Sequence, residues 1–414
     1  MRVRSLDIAI IGYGTAGQSA AVLLARDGHR VRVFERAPVL GPVGSGFLLQ
    51  PSGMEVLWQM DLLDSLLRWG RPVRQLHGAL ESGRTVLDLR YERLGHGLFG
   101  LGVQRSAMYE LLHDAWPHAG QLCTGFEVAS LDAERGLLTA ADGRREGPFD
   151  LVVLANGSHS ALRAALGLTR DERTFRWGAL WCLLPQADWP HATVLEQRYR
   201  SATHMAGMLP VGGRPGDPVP RISFFWSMRG EELDAFDDTV YPAWRRETIG
   251  LWPALADALT GVTSAGDLAK ARYRDVLLGK TWHRGRCVLL GDVAHAMSPQ
   301  LGQGVNMALC DARSLRDVLR SDTRLDDALQ SYADARRRHV AIYQLWSRWL
   351  TPLFQSDSRM LALARDLSLV SSSRWPIVGT HVHRVLAGTQ QGWLGSVALD
   401  PRFVGCLRQH DAVR

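Results

Sequence analysis

Lysine is almost missing from this chain: of 48 basic residues, only Lys270 and Lys280 are lysines. The formal net charge of +6 is therefore carried by arginine, which suits anionic ligands such as a diphosphate. No basic run interleaves with aromatics, which argues against a nucleic-acid partner. Cysteine is scarce too. The five present, Cys123, Cys182, Cys287, Cys310 and Cys406, are odd in number and form no CxxC pair. That excludes a disulfide framework and a structural zinc site, leaves no metal expected, and fits a reducing compartment, the cytoplasm. No apolar run reaches the roughly 18 residues of a membrane span. Arg2 and Arg4 precede an apolar stretch, but Gly12, Gly14 and Gly17 interrupt it, so a signal peptide is not expected. Internal repeats, low-complexity tracts and a Ser-His-Asp constellation are also lacking.

The 414 residues suffice for two or three structural units with a large core. The most informative segment is the first. The apolar run Ile8-Ala9-Ile10-Ile11 leads into Gly12, Gly14 and Gly17, then into small and apolar residues at helical spacing as far as Gly28. A second alternating stretch, 29–35, ends on Glu35. Strand, glycine turn, helix, strand and acid make the full fingerprint of a dinucleotide site. Gly12 permits the tight turn, Gly14 lets the backbone approach a pyrophosphate, and Gly17 lets helix and strand pack closely. Thr15 and Ala16 open the helix, whose free N–H groups face the diphosphate. Glu35 can accept from a ribose hydroxyl. The expected ligand is an adenine dinucleotide.

Two further landmarks follow. Residues 149–157 form an apolar strand ending in Asn156-Gly157, and residues 286–292 form another ending in Gly291-Asp292. Between them, 175–184, 193–211 and 221–228 read as strands rich in Trp, Phe and Met, with a Gly/Pro loop at 212–220. The fold expected is α/β: a Rossmann-like cofactor domain from 1–75, 95–175 and 270–330, with an inserted, mostly antiparallel substrate domain from 76–94 and 176–269. Residues 331–414 read as a C-terminal helical region, broken by Pro352 and Pro376 into several short helices. Its broad apolar face is core, or else a homodimer or peripheral membrane contact.

The order of the landmarks resembles the single-component flavoprotein aromatic hydroxylases, the family of p-hydroxybenzoate, salicylate and ubiquinone-pathway hydroxylases. The stretch from Gly291-Asp292 through His295, Pro299, Gly302 and Gly304 to Val305-Asn306 is similar to the family's third motif. Its middle motif appears as Asn156-Gly157-x-x-Ser160-x-x-Arg163, with asparagine where the family has aspartate. The resemblance implies non-covalent FAD, with Asp292 at the ribityl chain, and Pro299, Gly302, Gly304, Val305 and Asn306 along the ring. It also implies Arg105 and Gly46 near the flavin, and Arg36 and Val128 near the adenosine. Asn156 and Arg163 would wall a groove for NADH or NADPH. The implied reaction uses NAD(P)H and O₂ to hydroxylate or epoxidise an apolar, ring-containing small molecule through a flavin C4a-hydroperoxide. Trp181, His204, Phe224, Phe225 and Trp226 are the candidates to line the substrate pocket; His295 reads as a supporting residue.

Rival readings are few. A flavin halogenase would have a Trp-x-Trp-x-Ile-Pro segment, which is missing. A class with a separate NADPH fold needs a second glycine fingerprint, and Gly100-Leu101-Gly102 lacks the third glycine. Asn156 keeps open a two-component oxygenase fed by a separate reductase. A flavin-binding sensor without turnover is the non-enzymatic alternative.

Overall fold

In the computed structural model, the described residues are 5–413 apart from 42–43, 118–119, 188, 322–323 and 374. The first strand, Asp7–Ile11, pairs in parallel with Arg30–Phe34 on one side and Leu151–Leu154 on the other. Cys287–Leu289 and Leu122–Cys123 extend the sheet outward in parallel, and the edge strand His283–Arg284 runs antiparallel. Central parallel strands are covered on both faces, which explains their continuous apolar runs: Ile8, Ile10, Val152 and Val153 are wholly buried. Helix Thr15–Arg26 packs against helix Gly304–Ser321, so the first and third landmarks meet.

A seven-stranded sheet forms the second layer system, with strands in the order Ala269–Leu278, Thr169–Pro185, Asp217–Arg229, His204–Arg214, Val194–Arg200, Gln75–Leu80 and Thr85–Arg90. It is antiparallel except where Val194–Arg200 meets Gln75–Leu80. The expected boundaries at 175 and 270 fall inside two of these strands. Two local readings are corrected. Residues 193–211 are not one strand: the chain turns at Ser201, whose φ is +55°, to form two. The expected loop 212–220 is mostly strand, because Pro215-Gly216 alone makes the hairpin, with Arg214 opposite Asp217.

Helices Tyr241–Leu251 and Leu255–Ala258 cover one face of this sheet. The other face looks toward the cofactor domain and a small sheet containing Gly46–Leu49 and Gly100–Gln104. The C-terminal region departs from expectation in one respect. Helix Leu325–Phe354 runs unbroken for 30 residues with Pro352 inside it. Pro352 removes only its own N–H from the ladder, and the helix ends two residues later. Pro376 opens helix Pro376–Ala387 at its first position, where no N–H is needed.

Candidate active site

The glycines of the first turn differ in their surroundings. Gly12 holds a φ of +102°, and a Cβ there would lie 2.6 Å from the Ala155 carbonyl oxygen. At Gly17 a Cβ would lie 2.0 Å from the Gly12 oxygen. A Cβ on Gly14 would meet nothing within 4 Å. Two glycines therefore serve backbone packing, and the third faces open space at the start of a helix with no side-chain cap. Glu35 accepts from the Tyr13 N–H at 2.8 Å and the Ala37 N–H at 2.9 Å, which ties its carboxylate to the turn. Arg36 is exposed beside it. Val128 begins its strand two residues after Phe126, whose N–H bonds the Glu35 carbonyl at 2.9 Å. Asn156 abuts Gly12 from the neighbouring strand end, and its Oδ1 is buried without a hydrogen-bond partner.

The third motif lies alongside. Asp292 is exposed at the start of a short helix, and its Oδ1 is 3.7 Å from where a Gly304 Cβ would stand. Pro299–Leu301 forms a 3-10 turn, and Gly302 follows with a φ of +61° and open space at its Cβ position. Val305 is half-buried in the first turn of the next helix. The Asn306 side chain is a brace within this loop. It is wholly buried, its Oδ1 accepting from the Gln50 N–H at 2.8 Å and its Nδ2 donating to the Gly302 carbonyl at 3.1 Å.

Beneath this loop is a buried network that sequence reasoning largely missed. Asp311 accepts from the Gly291 N–H at 2.7 Å, from His295 Nε2 at 2.6 Å and from Arg336 Nε at 2.5 Å. Burial pushes its carboxyl up, but His295 and Arg336 outweigh that and hold its pKa at about 2. Arg336 continues to His339 Nδ1 at 2.6 Å, and His339 Nε2 donates to the Gly388 carbonyl at 3.0 Å. His295 is thus a supporting residue, wholly buried against Asp311. The signal for the rest, charged residues on the apolar faces of two helices, was present but had no visible partner.

Arg105 opens helix Arg105–Asp114 and lies in a concave cleft. Its side chain is accessible to water yet ringed by protein, and this desolvation lowers its pKa, with Asp292 opposing. Gly44 lies against it, because a Cβ there would stand 2.8 Å from Arg105 Cδ. Gly46 is packed on its Cβ side, where a Cβ would meet Val211 at 2.6 Å and Ser223 at 3.1 Å in the larger sheet. Tyr273 sits within electrostatic reach of Arg105, and its hydroxyl accepts from Trp181 Nε1 at 2.9 Å. Phe225 packs on Trp181 with ring centroids 5.1 Å apart.

Three expected pocket residues point the other way. Phe224 and Trp226 are buried beneath the covering helices, packed on Trp244. His204 lies on the same outer side, against Trp226 and 3.1 Å from Glu247. Strand alternation forces this, since neighbours in sequence face opposite sides. Arg163 is corrected as well. It is 1% exposed, and its guanidinium donates to the Ser158 and Val293 carbonyls and to Glu172 at 2.7 Å. It braces the loop and cannot wall a groove.

A dinucleotide flavin fits these residues: an uncapped helix end facing open space at Gly14, an orphaned amide oxygen on Asn156, and an arginine and an aspartate across one cleft. Fold and cradle together define a flavoprotein with a separate seven-stranded sheet. Residues 5–344 match the family model described as "FAD binding domain". The chain is 28% identical over 408 residues to 6-methylpretetramide 4-monooxygenase of Streptomyces rimosus, covering 93% of each chain. It is 30% identical over 344 residues to 3-amino-4-hydroxybenzoate 2-monooxygenase of Streptomyces cremeus, covering 75% of this chain and 78% of that protein. In fold it is similar to Klebsiella pneumoniae HpxO complexed with FAD and uric acid, with a TM-score of 0.79 at 24% identity over 92% of this chain and 97% of that one. It is also similar to a tetrameric form of 2-methyl-3-hydroxypyridine-5-carboxylic acid oxygenase, with a TM-score of 0.73 at 21% identity over 94% and 99% of the two chains. The chain belongs to the FAD-binding family of aromatic hydroxylases and is an FAD-dependent monooxygenase. No helix among the described residues is long and apolar enough to cross a membrane.

Proposed function

We propose that this monooxygenase uses NADH or NADPH and O₂ to hydroxylate or epoxidise a flat, apolar, aromatic or heteroaromatic molecule held between the larger sheet and the flavin edge. The observation that carries this reading is the Trp181–Phe225 ring pair with the Tyr273 hydroxyl, on the sheet face that looks toward Arg105. Flat apolar rings bury a flat substrate, and one hydroxyl orients it. Bound FAD supplies the reductive oxygen chemistry. The chain's part is to hold the cofactor at Gly14, Thr15, Ala16, Glu35, Asp292 and Gly302, exclude water and place the substrate carbon.

The relatives' names, which specify oxidation of ring compounds, favour the same class. The division into cofactor domain, substrate domain and C-terminal region is supported by the two sheets, with its edges moved to the ends of Thr169–Pro185 and Ala269–Leu278. Five unpaired cysteines favour the cytoplasm. The deciding experiment is anaerobic stopped-flow reduction of the FAD-loaded protein by NADH and by NADPH across aromatic ligands. Ligand-accelerated bleaching, then an oxygenated product on admitting O₂, is expected. Product formed only with externally reduced flavin would instead favour the two-component reading.

A further inference from the structure

A separate cavity of about 360 Å³ lies between the segment 93–98, helix Pro376–Ala387 and the C-terminal helix Pro401–Val413. None of the residues lining it belongs to the glycine cradle or the third motif. Its cations are Arg93, Arg384 and Arg408, joined by His383, and no acidic side chain is among the described residues around it. Arg93 and Arg384 have no carboxylate partner among the described residues, although Arg313, Arg320, Arg336 and Arg348 all have one.

His383 also lines the cavity. It is 2% exposed, and its Nδ1 donates to the Gly379 carbonyl at 2.6 Å. Its Nε2 is buried with no partner among the described residues. With Nδ1 as the donor, Nε2 is left an acceptor, so the arginines and not His383 would meet an anion here. The rest of the wall mixes apolar side chains, Leu98, Val397 and Val404 among them, with the hydroxyl-bearing Thr380, Thr389 and Ser396. Guanidinium groups match carboxylates by paired hydrogen bonds, and the volume is that of a small-ligand site.

We propose that this cavity binds a small organic carboxylate with an apolar body, as an effector site distinct from the flavin site. The helix lining it also holds the flavin loop. Gln303 Nε2 donates to the Val385 and Leu386 carbonyls at 3.0 and 2.8 Å, and a Cβ on Gly388 would stand 2.0 Å from Ser52 Oγ. Occupancy therefore acts on the Gly302–Gly304 loop through Gln303.

Isothermal titration of the FAD-loaded protein with benzoate tests this, with inorganic phosphate and benzyl alcohol as comparisons. We expect a benzoate-binding component that weakens at least tenfold in Arg384→Ala and in Arg93→Ala while flavin content stays unchanged. Leu98→Trp, which fills the cavity and keeps every charge, should lose the same component. Phosphate and benzyl alcohol should bind far more weakly, each lacking half of the recognition. Benzoate binding unchanged in the Arg93→Ala/Arg384→Ala double variant would overturn the proposal. So would phosphate binding as tightly as benzoate, or Leu98→Trp binding benzoate like the wild type.

Discussion

Gly12, Gly14 and Gly17 differ in what one added methyl group would do, and that difference separates folding from cofactor binding. Gly17→Ala drives a Cβ into the Gly12 oxygen and is expected to lose the folded, flavin-retaining protein. Gly14→Ala meets open space, so the apoprotein should keep its melting temperature, as surface changes within about 0.5 kcal/mol do. Its FAD affinity should fall roughly tenfold, about 1.4 kcal/mol, measurable by flavin fluorescence quenching. Equal losses of FAD affinity and stability at both positions would refute this split. His339 carries a pH prediction. Burial, then the Arg336 charge, lowers its pKa to about 3, against about 6.5 in the unfolded chain. Below pH 6.5 the unfolded chain takes up a proton that the folded one refuses. Its stabilising share is thus complete above pH 6.5 and declines as pH falls toward 3. Asp311 contributes its own loss only below about pH 3.9, so between about pH 7.5 and 5 it adds no slope. In thermal melts from pH 7.5 to 5, His339→Gln should melt lower at pH 7.5 yet show a shallower slope than wild type. The glycine cradle was readable because its turn, helix and acid are local in sequence. The His339–Arg336–Asp311 chain was not, since its members converge only when two helices and the strand end at Gly291 pack together.

Strand alternation decides which aromatic residues can meet a substrate. Phe224, Phe225 and Trp226 are consecutive, so one strand sends the first and third under the covering helices and the second toward the cofactor side. Nothing in a run of three aromatics tells which side is covered, so Phe224 and Trp226 could not be told apart from Phe225 in the sequence. The physical consequence is testable. Trp226→Leu should cost on the order of 3 kcal/mol of stability while sparing ligand-accelerated flavin reduction. Trp181→Ala, at a half-buried position, should cost less stability than that and slow the reduction at least tenfold. The reverse pattern would place the substrate on the wrong side of the sheet. The parallel sheet was legible for the opposite reason: its central strands are covered on both faces, so direction along the strand matters and register does not.

Across the whole molecule, exposed apolar side chains gather in the C-terminal region. Met360, Leu367, Trp375, Ile377, Trp393 and Leu394 are each more than half exposed, on or between helices that contribute little to the main core. The apolar face legible in the sequence, Val340 through Phe354, lies wholly on Leu325–Phe354 and is buried or half-buried except at Trp349, so the later exposed residues are a separate set. Patches of this kind on a large chain mark contact with a second copy or with a lipid surface. Contact with a second copy predicts sedimentation as a dimer or larger assembly at micromolar concentration. Leu367→Glu with Ile377→Glu should then yield a monomer with unchanged flavin content, because neither position touches the cradle. A monomeric wild type that instead co-sediments with anionic vesicles, and stops doing so in the double variant, would assign the face to a membrane surface. A wild type that is monomeric and ignores vesicles would remove the interface altogether.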